Sequence, residues 1–250
     1  MKEIKLVVFD MAGTTVKDNS EVEYCFAEAC EATGLSVTAE RIKALQGYAK
    51  REVFTLLWSE VLGEKSSDLI QNVDFSYSTF CEILEDHYRS NPVLPTDHCL
   101  ETFEILQQND IKIALNTGFY RKVANIILDK LGWLEGLNED YVNMGGSSPV
   151  NVSLTPSEVP AGRPAPDMIF SAMAKLGIKE ASQVIKVGDT PVDLLEGYNA
   201  GCLKSLAVTN GTHSYQQLAD CKNDGLLNSL QDLPRFLDLD IQKENQFIKV

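Results

Sequence analysis

An apolar run ends in an aspartate at Val7-Val8-Phe9-Asp10, and small residues follow as Met11-Ala12-Gly13-Thr14-Thr15. A carboxylate held there can attack phosphorus if its neighbours draw charge from it. Gly13 lets the backbone turn sharply, so amides near Met11 and Ala12 can face a phosphoryl oxygen. The plainer role for Asp10 is to cap the next turn. Three more polar clusters follow later in the chain. Asn116-Thr117-Gly118 offers a hydroxyl and amides for phosphate oxygens, or simply a turn before a helix. Gly162-Arg163-Pro164-Ala165-Pro166-Asp167 places Arg163 either to neutralise a phosphoryl group or as a surface charge. Gly188-Asp189-Thr190-Pro191-Val192-Asp193 brings two carboxylates together. Two acids in a cleft repel unless a cation joins them, which suggests Mg²⁺ bound through few protein ligands and several waters. Asp193 is also well placed to cap a helix.

Four short apolar runs must position these groups: Ile4–Phe9, Ile111–Leu115, Val184–Val187 and Ser205–Val208. Each stops at a polar or glycine-bearing turn. Helical patterns lie between and around them, at His98–Gln107, Arg121–Leu131, Asp167–Leu176 and Asp193–Ala200. Strands alternating with helices predict an α/β fold with a doubly wound parallel sheet, whose ligand crevice lies beyond the carboxyl ends of the strands. All the polar clusters fall at such ends. About a hundred residues separate the first two runs, far more than a crossover needs. Helical patterns fill that interval at Glu21–Ala32, Thr38–Leu45, Lys50–Leu62 and Phe75–Arg89. Thr38 suits an N-cap and Gly34 a C-cap. Residues 19–91 therefore read as an inserted α-helical cap, and 1–18 with 92–250 as the core. The stretch Leu134–Val150, containing Asn143-Met144-Gly145-Gly146, reads as a long flexible loop.

The chain has 250 residues, 44% of them hydrophobic and 23% charged, enough for a sizeable core. A formal net charge of −14 opposes binding to nucleic acid or anionic lipid. An anionic substrate therefore needs a local positive site. The six cysteines form no C-x-x-C pair and read as reduced thiols, and the three histidines lack metal-ligand spacing. No apolar run is long enough for a signal or a membrane span, so a cytoplasmic location is expected.

The ordered set Asp10, Thr117, Arg163, Asp189 and Asp193 resembles the haloacid dehalogenase-like hydrolase superfamily across nearly the whole chain. That resemblance implies a Rossmann-like core, Mg²⁺ and an aspartyl-phosphate intermediate on Asp10. Asp10, Asp189 and the carbonyl oxygen of Ala12 would hold the metal, with Asp193 supporting them. Most phosphatases of the superfamily carry a second aspartate where this chain has Ala12. General acid–base catalysis is worth about 10²–10⁴-fold, so its absence there calls for a different leaving-group chemistry.

The stretches VFDMAGTTV, LNTGF, TPSEVPAGRPAPDM and VGDTPVDLLEGYNAG look like the phosphonatase (phosphonoacetaldehyde hydrolase) branch, which carries alanine at that position. In that branch a cap lysine forms a Schiff base with the substrate aldehyde. The iminium then accepts the electrons released when the carbon–phosphorus bond breaks, so no acid is needed. Gly47-Tyr48-Ala49-Lys50 reproduces the branch's G-x-x-K pattern, with Lys50 expected to open a helix. A lysine near a helix N-terminus and other cations has a lowered pKa. Lys50 otherwise grips a distal anion or is a solvated helix lysine. Met11, Gly47, Tyr48, Gly118 and Phe119 are the expected substrate contacts, although Tyr48 also suits packing. Four positions depart from the branch: Gln46 stands for a methionine, Val53 for a histidine, Ser20 for a cysteine and Phe119 for a tyrosine. The expected ligand is a small phosphonate. The alternatives are a small phosphate ester such as a sugar phosphate or phosphoglycolate, or phosphate-ligand binding without catalysis. The chain is expected to be a monomer or a homodimer; dimerisation through the first cap helix would fit the resemblance, and its Val22, Phe26 and Ala29 serve either that contact or the core of the cap.

Overall fold

Side chains alternate across the first strand, β1 (Leu6–Phe9), in a computed structural model that describes residues 3–239. Leu6 and Val8 enter one apolar cluster, Val7 and Phe9 another. A strand buried on both faces must be apolar throughout, as parallel sheets require. The chain then runs through α1 (Glu21–Ala32), α2 (Ala39–Ala44), α3 (Lys50–Leu62), α4 (Leu69–Ser90) and α5 (Cys99–Gln108) before reaching β2 (Lys112–Asn116). After that come α6 (Arg121–Lys130), β3 (Val152–Leu154), α7 (Asp167–Leu176), β4 (Val184–Gly188), α8 (Pro191–Ala200), β5 (Lys204–Val208), α9 (Tyr215–Ala219) and β6 (Leu226–Leu227).

The six strands are all parallel, in the order β3-β2-β1-β4-β5-β6. Chain order reverses at β1, which pairs with β2 on one side and β4 on the other, so the crevice opens where Asp10 and Asp189 leave the sheet. Helices α5 and α6 pack on the face holding Phe9, whose ring lies 5.3 Å from that of Phe103. Helices α7 and α8 cover the opposite face. This is the expected Rossmann-like, doubly wound fold, with two strands added. β3 and β6 are three and two residues long, too short to register as apolar runs. Helix α8 starts at Pro191, ahead of the expected Asp193, because Thr190 and Asp193 cap each other around it.

The rings of Phe26, Phe54 and Phe80 pack together within the block of α1, α3 and α4, with centroids 4.5 to 6.2 Å apart. Trp58 donates to Ser76 (2.9 Å), which donates to Thr33 (2.8 Å). Val22, Phe26 and Ala29 are buried inside this block, so the face considered for dimerisation is already used within the chain. Helix α4 begins at Leu69 rather than Phe75; its first turns bury little besides Val73, so apolar periodicity is weak there. Where the chain leaves and re-enters the sheet domain, the two connections run side by side. The Lys17 amide donates to the Leu94 carbonyl (2.9 Å), and Thr96 Oγ1 donates to the Thr14 carbonyl (2.7 Å). The loop around residue 145 is pinned: Asn143 Oδ1 accepts from the amides of Gly145 and Gly146, and Ser148 Oγ donates to the Trp133 carbonyl. The proposed core of 1–18 and 92–250 extends at both ends beyond the described residues.

Candidate active site

Buried charges converge at the carboxyl ends of β1 and β4. The Asp10 amide donates to the Val187 carbonyl, which locks the residue to the neighbouring strand. Gly13 has φ 84°, and a Cβ there would fall 2.3 Å from Asp189 Oδ2, so only glycine lets this turn pass over the second carboxylate. Arg163 Nη1 donates to Asp10 Oδ1 (2.7 Å) and also to Asp193 Oδ1. Lys186 Nζ lies 3.0 Å from Asp193 Oδ1 and 3.0 Å from Glu196 Oε2, and donates to Asn116 Oδ1 at 2.5 Å. Asn116 Nδ2 in turn donates to both oxygens of Glu196. Asp193 Oδ2 accepts from Thr190 Oγ1 (2.6 Å). Asp189 accepts from Thr14 Oγ1 (3.0 Å) and from the Thr212 amide (2.7 Å). Asp193 thus caps α8 and anchors the arginine at once.

The charges around this point do not balance. Four carboxylates (Asp10, Asp189, Asp193, Glu196) face two cations (Arg163, Lys186), which leaves a formal charge of −2. One oxygen from each of Asp10, Asp189 and Asp193 lies within 4.8 Å of the others. Burial pushes Asp10 up to about 7 despite the pull of Arg163, and pushes Asp189 up to about 6, helped by the charge of Asp193. Burial acts on Asp193 in the same direction, but Arg163 and Lys186 outweigh it and hold that carboxyl well below its ordinary range. A deficit of two positive charges beside hard oxygen ligands fits a divalent cation.

The helical block supplies the other wall. Gly47 has φ 85°, and a Cβ on it would lie 2.7 Å from Thr190 Oγ1; a Cβ on Gly118 would lie 3.2 Å from the Gly47 carbonyl oxygen. The turn before α3 therefore rests directly on the strand-end loops. Lys50 is the first residue of α3, as expected, and its side chain is buried. Its Nζ donates to Gln46 Oε1 (3.1 Å) and the Leu45 carbonyl (3.5 Å), and sits 5.7 Å over the Phe26 ring. Burial, then the Arg163 charge, lowers its pKa to about 8.

One pocket, partly open to solvent, joins the two walls. Asp10, Ala12, Gly47, Tyr48, Lys50, Thr117, Gly118, Phe119 and Arg163 all line it. Met11, Asp189 and Asp193 do not. The Met11 side chain lies wholly in the apolar core, leaving only its backbone toward the turn, and the two aspartates sit behind the lining. Thr117 Oγ1 accepts from the Phe119 amide (3.1 Å), and the Phe119 ring packs 5.8 Å from that of Tyr88. Val53 is buried in the helical core and Ser20 is exposed.

Sequence reasoning missed Lys186, Glu196 and the Asn116 side chain, along with two cavity residues, Asp18 and Gln46, as parts of the candidate site. Lys186 had a signal. A lysine inside the apolar run Val184-Ile185-Lys186-Val187, in a strand buried on both faces, must find a carboxylate.

Residues 4–201 match the family model for haloacid dehalogenase-like hydrolase. A bifunctional phosphonoacetaldehyde hydrolase/aminoethylphosphonate transaminase of Clostridioides difficile is 34% identical over 84% of this chain and 32% of its own length. The chain thus spans about a third of that relative. The phosphonoacetaldehyde hydrolase of Bacillus cereus is 31% identical over 80% of this chain and 74% of its own. In structure, a phosphonoacetaldehyde hydrolase-like protein from Oleispira antarctica superposes with a TM-score of 0.73 at 20% identity, covering 94% of this chain and 91% of that one.

Proposed function

The chain belongs to the haloacid dehalogenase-like hydrolases, in the phosphonoacetaldehyde hydrolase-related branch, and from that premise we propose that it hydrolyses a small phosphonate aldehyde with Asp10 as nucleophile and Lys50 as imine-forming amine. The observation that carries this reading is a single cavity lined by both Asp10 and Lys50, with Ala12 where an acid would stand.

In this mechanism the amine of Lys50 condenses with the aldehyde to an iminium. Asp10 attacks phosphorus, the carbon–phosphorus bond breaks, and its electron pair moves toward the iminium nitrogen, leaving an enamine. Arg163 holds Asp10 in line and offsets charge on the transferring group. Thr117 and Gly118 supply a hydroxyl and an amide to its oxygens. Mg²⁺, held by Asp10, Asp189 and the carbonyl of Ala12 with Asp193 behind them, would add positive charge against those oxygens. Water then attacks the aspartyl phosphate and restores Asp10, while protonation of the enamine carbon and hydrolysis of the resulting iminium release the dephosphonylated aldehyde and free Lys50. The helical block acts as a cap over residues 19–91, keeping water out until transfer is complete.

The test is a phosphate-release screen of phosphonoacetaldehyde and of phosphate esters, with and without Mg²⁺, run beside borohydride trapping. We expect release from phosphonoacetaldehyde and a trapped mass adduct on Lys50 that disappears in Lys50→Ala. Release from esters alone, with no adduct, leaves Lys50 as an anion grip and makes the protein a phosphatase. No release from any compound, with Asp10→Asn binding ligands as well as wild type, makes it a binding protein.

A further inference from the structure

The ionisable side chains lining the cavity are Asp10, Asp18, Tyr48, Lys50 and Arg163. Asp10 and Arg163 are bound to each other. Asp18 is the lining carboxyl that joins no ion pair among the described residues. It stands in the segment leading from β1 into α1, half-buried, with Oδ1 accepting from the Glu21 amide at 2.9 Å. The hydrogen bonds of Asp10 and Asp189 go elsewhere, to Arg163 and to Thr14 and Thr212. Of the acids near Lys50, Asp18 acts most strongly on its ammonium, ahead of Glu23 and Asp10. The site therefore holds an amine that must shed a proton and a nearby carboxyl that pairs with no cation elsewhere among the described residues and whose neighbour on its own turn is the Glu21 carboxyl.

We propose that Asp18 carries the protons of imine formation at Lys50, an inference that rests on the phosphonatase reading above. With Lys50 an ammonium and Asp18 a carboxylate, Asp18 takes one proton from the nitrogen. The nitrogen lone pair attacks the aldehyde carbon, and the carbonyl π pair moves to oxygen. That oxygen receives a second proton from nitrogen, giving a neutral carbinolamine. Asp18 then returns its proton to the hydroxyl, the carbon–oxygen bond breaks, and water leaves. The nitrogen lone pair closes the iminium, and Asp18 is a carboxylate again.

The surroundings suit such an exchange. Burial and the Glu21 carboxyl push Asp18 up to about 8, near the value to which Lys50 falls, so a proton moves between them at little cost. The groups facing Asp18 are Glu21 of its own turn, Asp189 from the end of β4, Lys50 of α3, Cys25 of α1 and Tyr88 of α4.

The experiment measures the rate of borohydride-trapped adduct formation with phosphonoacetaldehyde across pH, in wild type, Asp18→Asn and Asp18→Glu. Asparagine keeps an acceptor for the Glu21 amide, so the start of α1 stays capped. We expect Asp18→Asn to slow trapping by about 10²-fold and to leave a pH profile set by Lys50 alone. Asp18→Glu should recover part of the rate. Binding of inorganic phosphate in the presence of Mg²⁺ should be unchanged. Trapping by Asp18→Asn at the wild-type rate and pH profile overturns the proposal and leaves the imine reading intact. Loss of phosphate binding alongside slow trapping also overturns it, since Asp18 then only supports the fold. An absence of any wild-type adduct removes the imine reading, and the role of Asp18 falls with it.

Discussion

The two walls of the cavity handle their polar groups in opposite ways. On the strand-end wall nearly every charged atom is committed: Asp193 to Arg163, Lys186 and Thr190, Asp189 to Thr14 and Thr212, and Glu196 to Lys186 and Asn116. Arg163 Nε is a buried donor of that network with no hydrogen-bond partner among the described residues. On the helical wall the Lys50 ammonium rests on one amide oxygen and one distant carbonyl, and Gln46 Nε2 is buried with no partner. A buried donor without an acceptor costs about 1–3 kcal/mol. The contrast assigns separate tasks. The strand ends settle their charges within the chain, whereas the helical block leaves Gln46 Nε2 without a protein partner among the described residues.

Removing the proposed nucleophile should give the largest effect. Asp10→Asn keeps the side chain's shape and its acceptor for Arg163 but cannot form an acyl phosphate. Hydrolysis should fall by at least about 10⁴-fold in a phosphate-release assay, as for other removed nucleophiles. Turnover within about tenfold of wild type would mean that the committed wall is structural and that the chemistry belongs to the other.

Next comes the anchor of that wall. Lys186→Met leaves Asp193 and Glu196 buried without their shared cation. Unmaking a buried pair by deleting one partner costs about 3–5 kcal/mol. Urea denaturation should show that loss in the midpoint, whereas Lys50→Met should cost much less, because Lys50 neutralises no buried carboxylate. Equal losses for the two variants would erase the distinction between the walls.

The same contrast explains what could be read without coordinates. Asp10, Arg163, Asp189 and Asp193 stood out because each follows an apolar run or a proline-rich turn, and the parallel sheet must deliver such residues to one edge. Lys50 was legible from Gly47 and the helix it opens. Asp18 was not, since a single acid in a polar connection carries no periodic signal and its burial depends on how the helical block closes. Gln46 was visible only as a departure from a pattern; its contact with Lys50 comes from the turn that Gly47 allows. Strand β3 is too short, at three residues, to show alternation, and the first turns of α4 bury only Val73 and so give no apolar periodicity before Phe75. Local pattern thus recovers groups delivered by regular elements and loses those set by tertiary closure.

The smallest effect bears on the loosely held wall. The rate of imine trapping requires neutral Lys50, so in wild type it should climb as pH rises through about 8, where burial and Arg163 have lowered the amine. Gln46 Oε1 bonds the charged form and opposes that lowering. Gln46→Met deletes this acceptor, so the midpoint should move toward lower pH, by less than about one unit. At pH 7 the variant should trap faster than wild type. Stability should change little, because the variant loses a charge-assisted bond and an unpartnered buried donor together, terms of about 1.5–3 and 1–3 kcal/mol that oppose each other. A midpoint that stays put or moves to higher pH would show that Gln46 does not tune the amine. The unpartnered Nε2 would then be a packing cost, and the helical wall would hold Lys50 by burial alone.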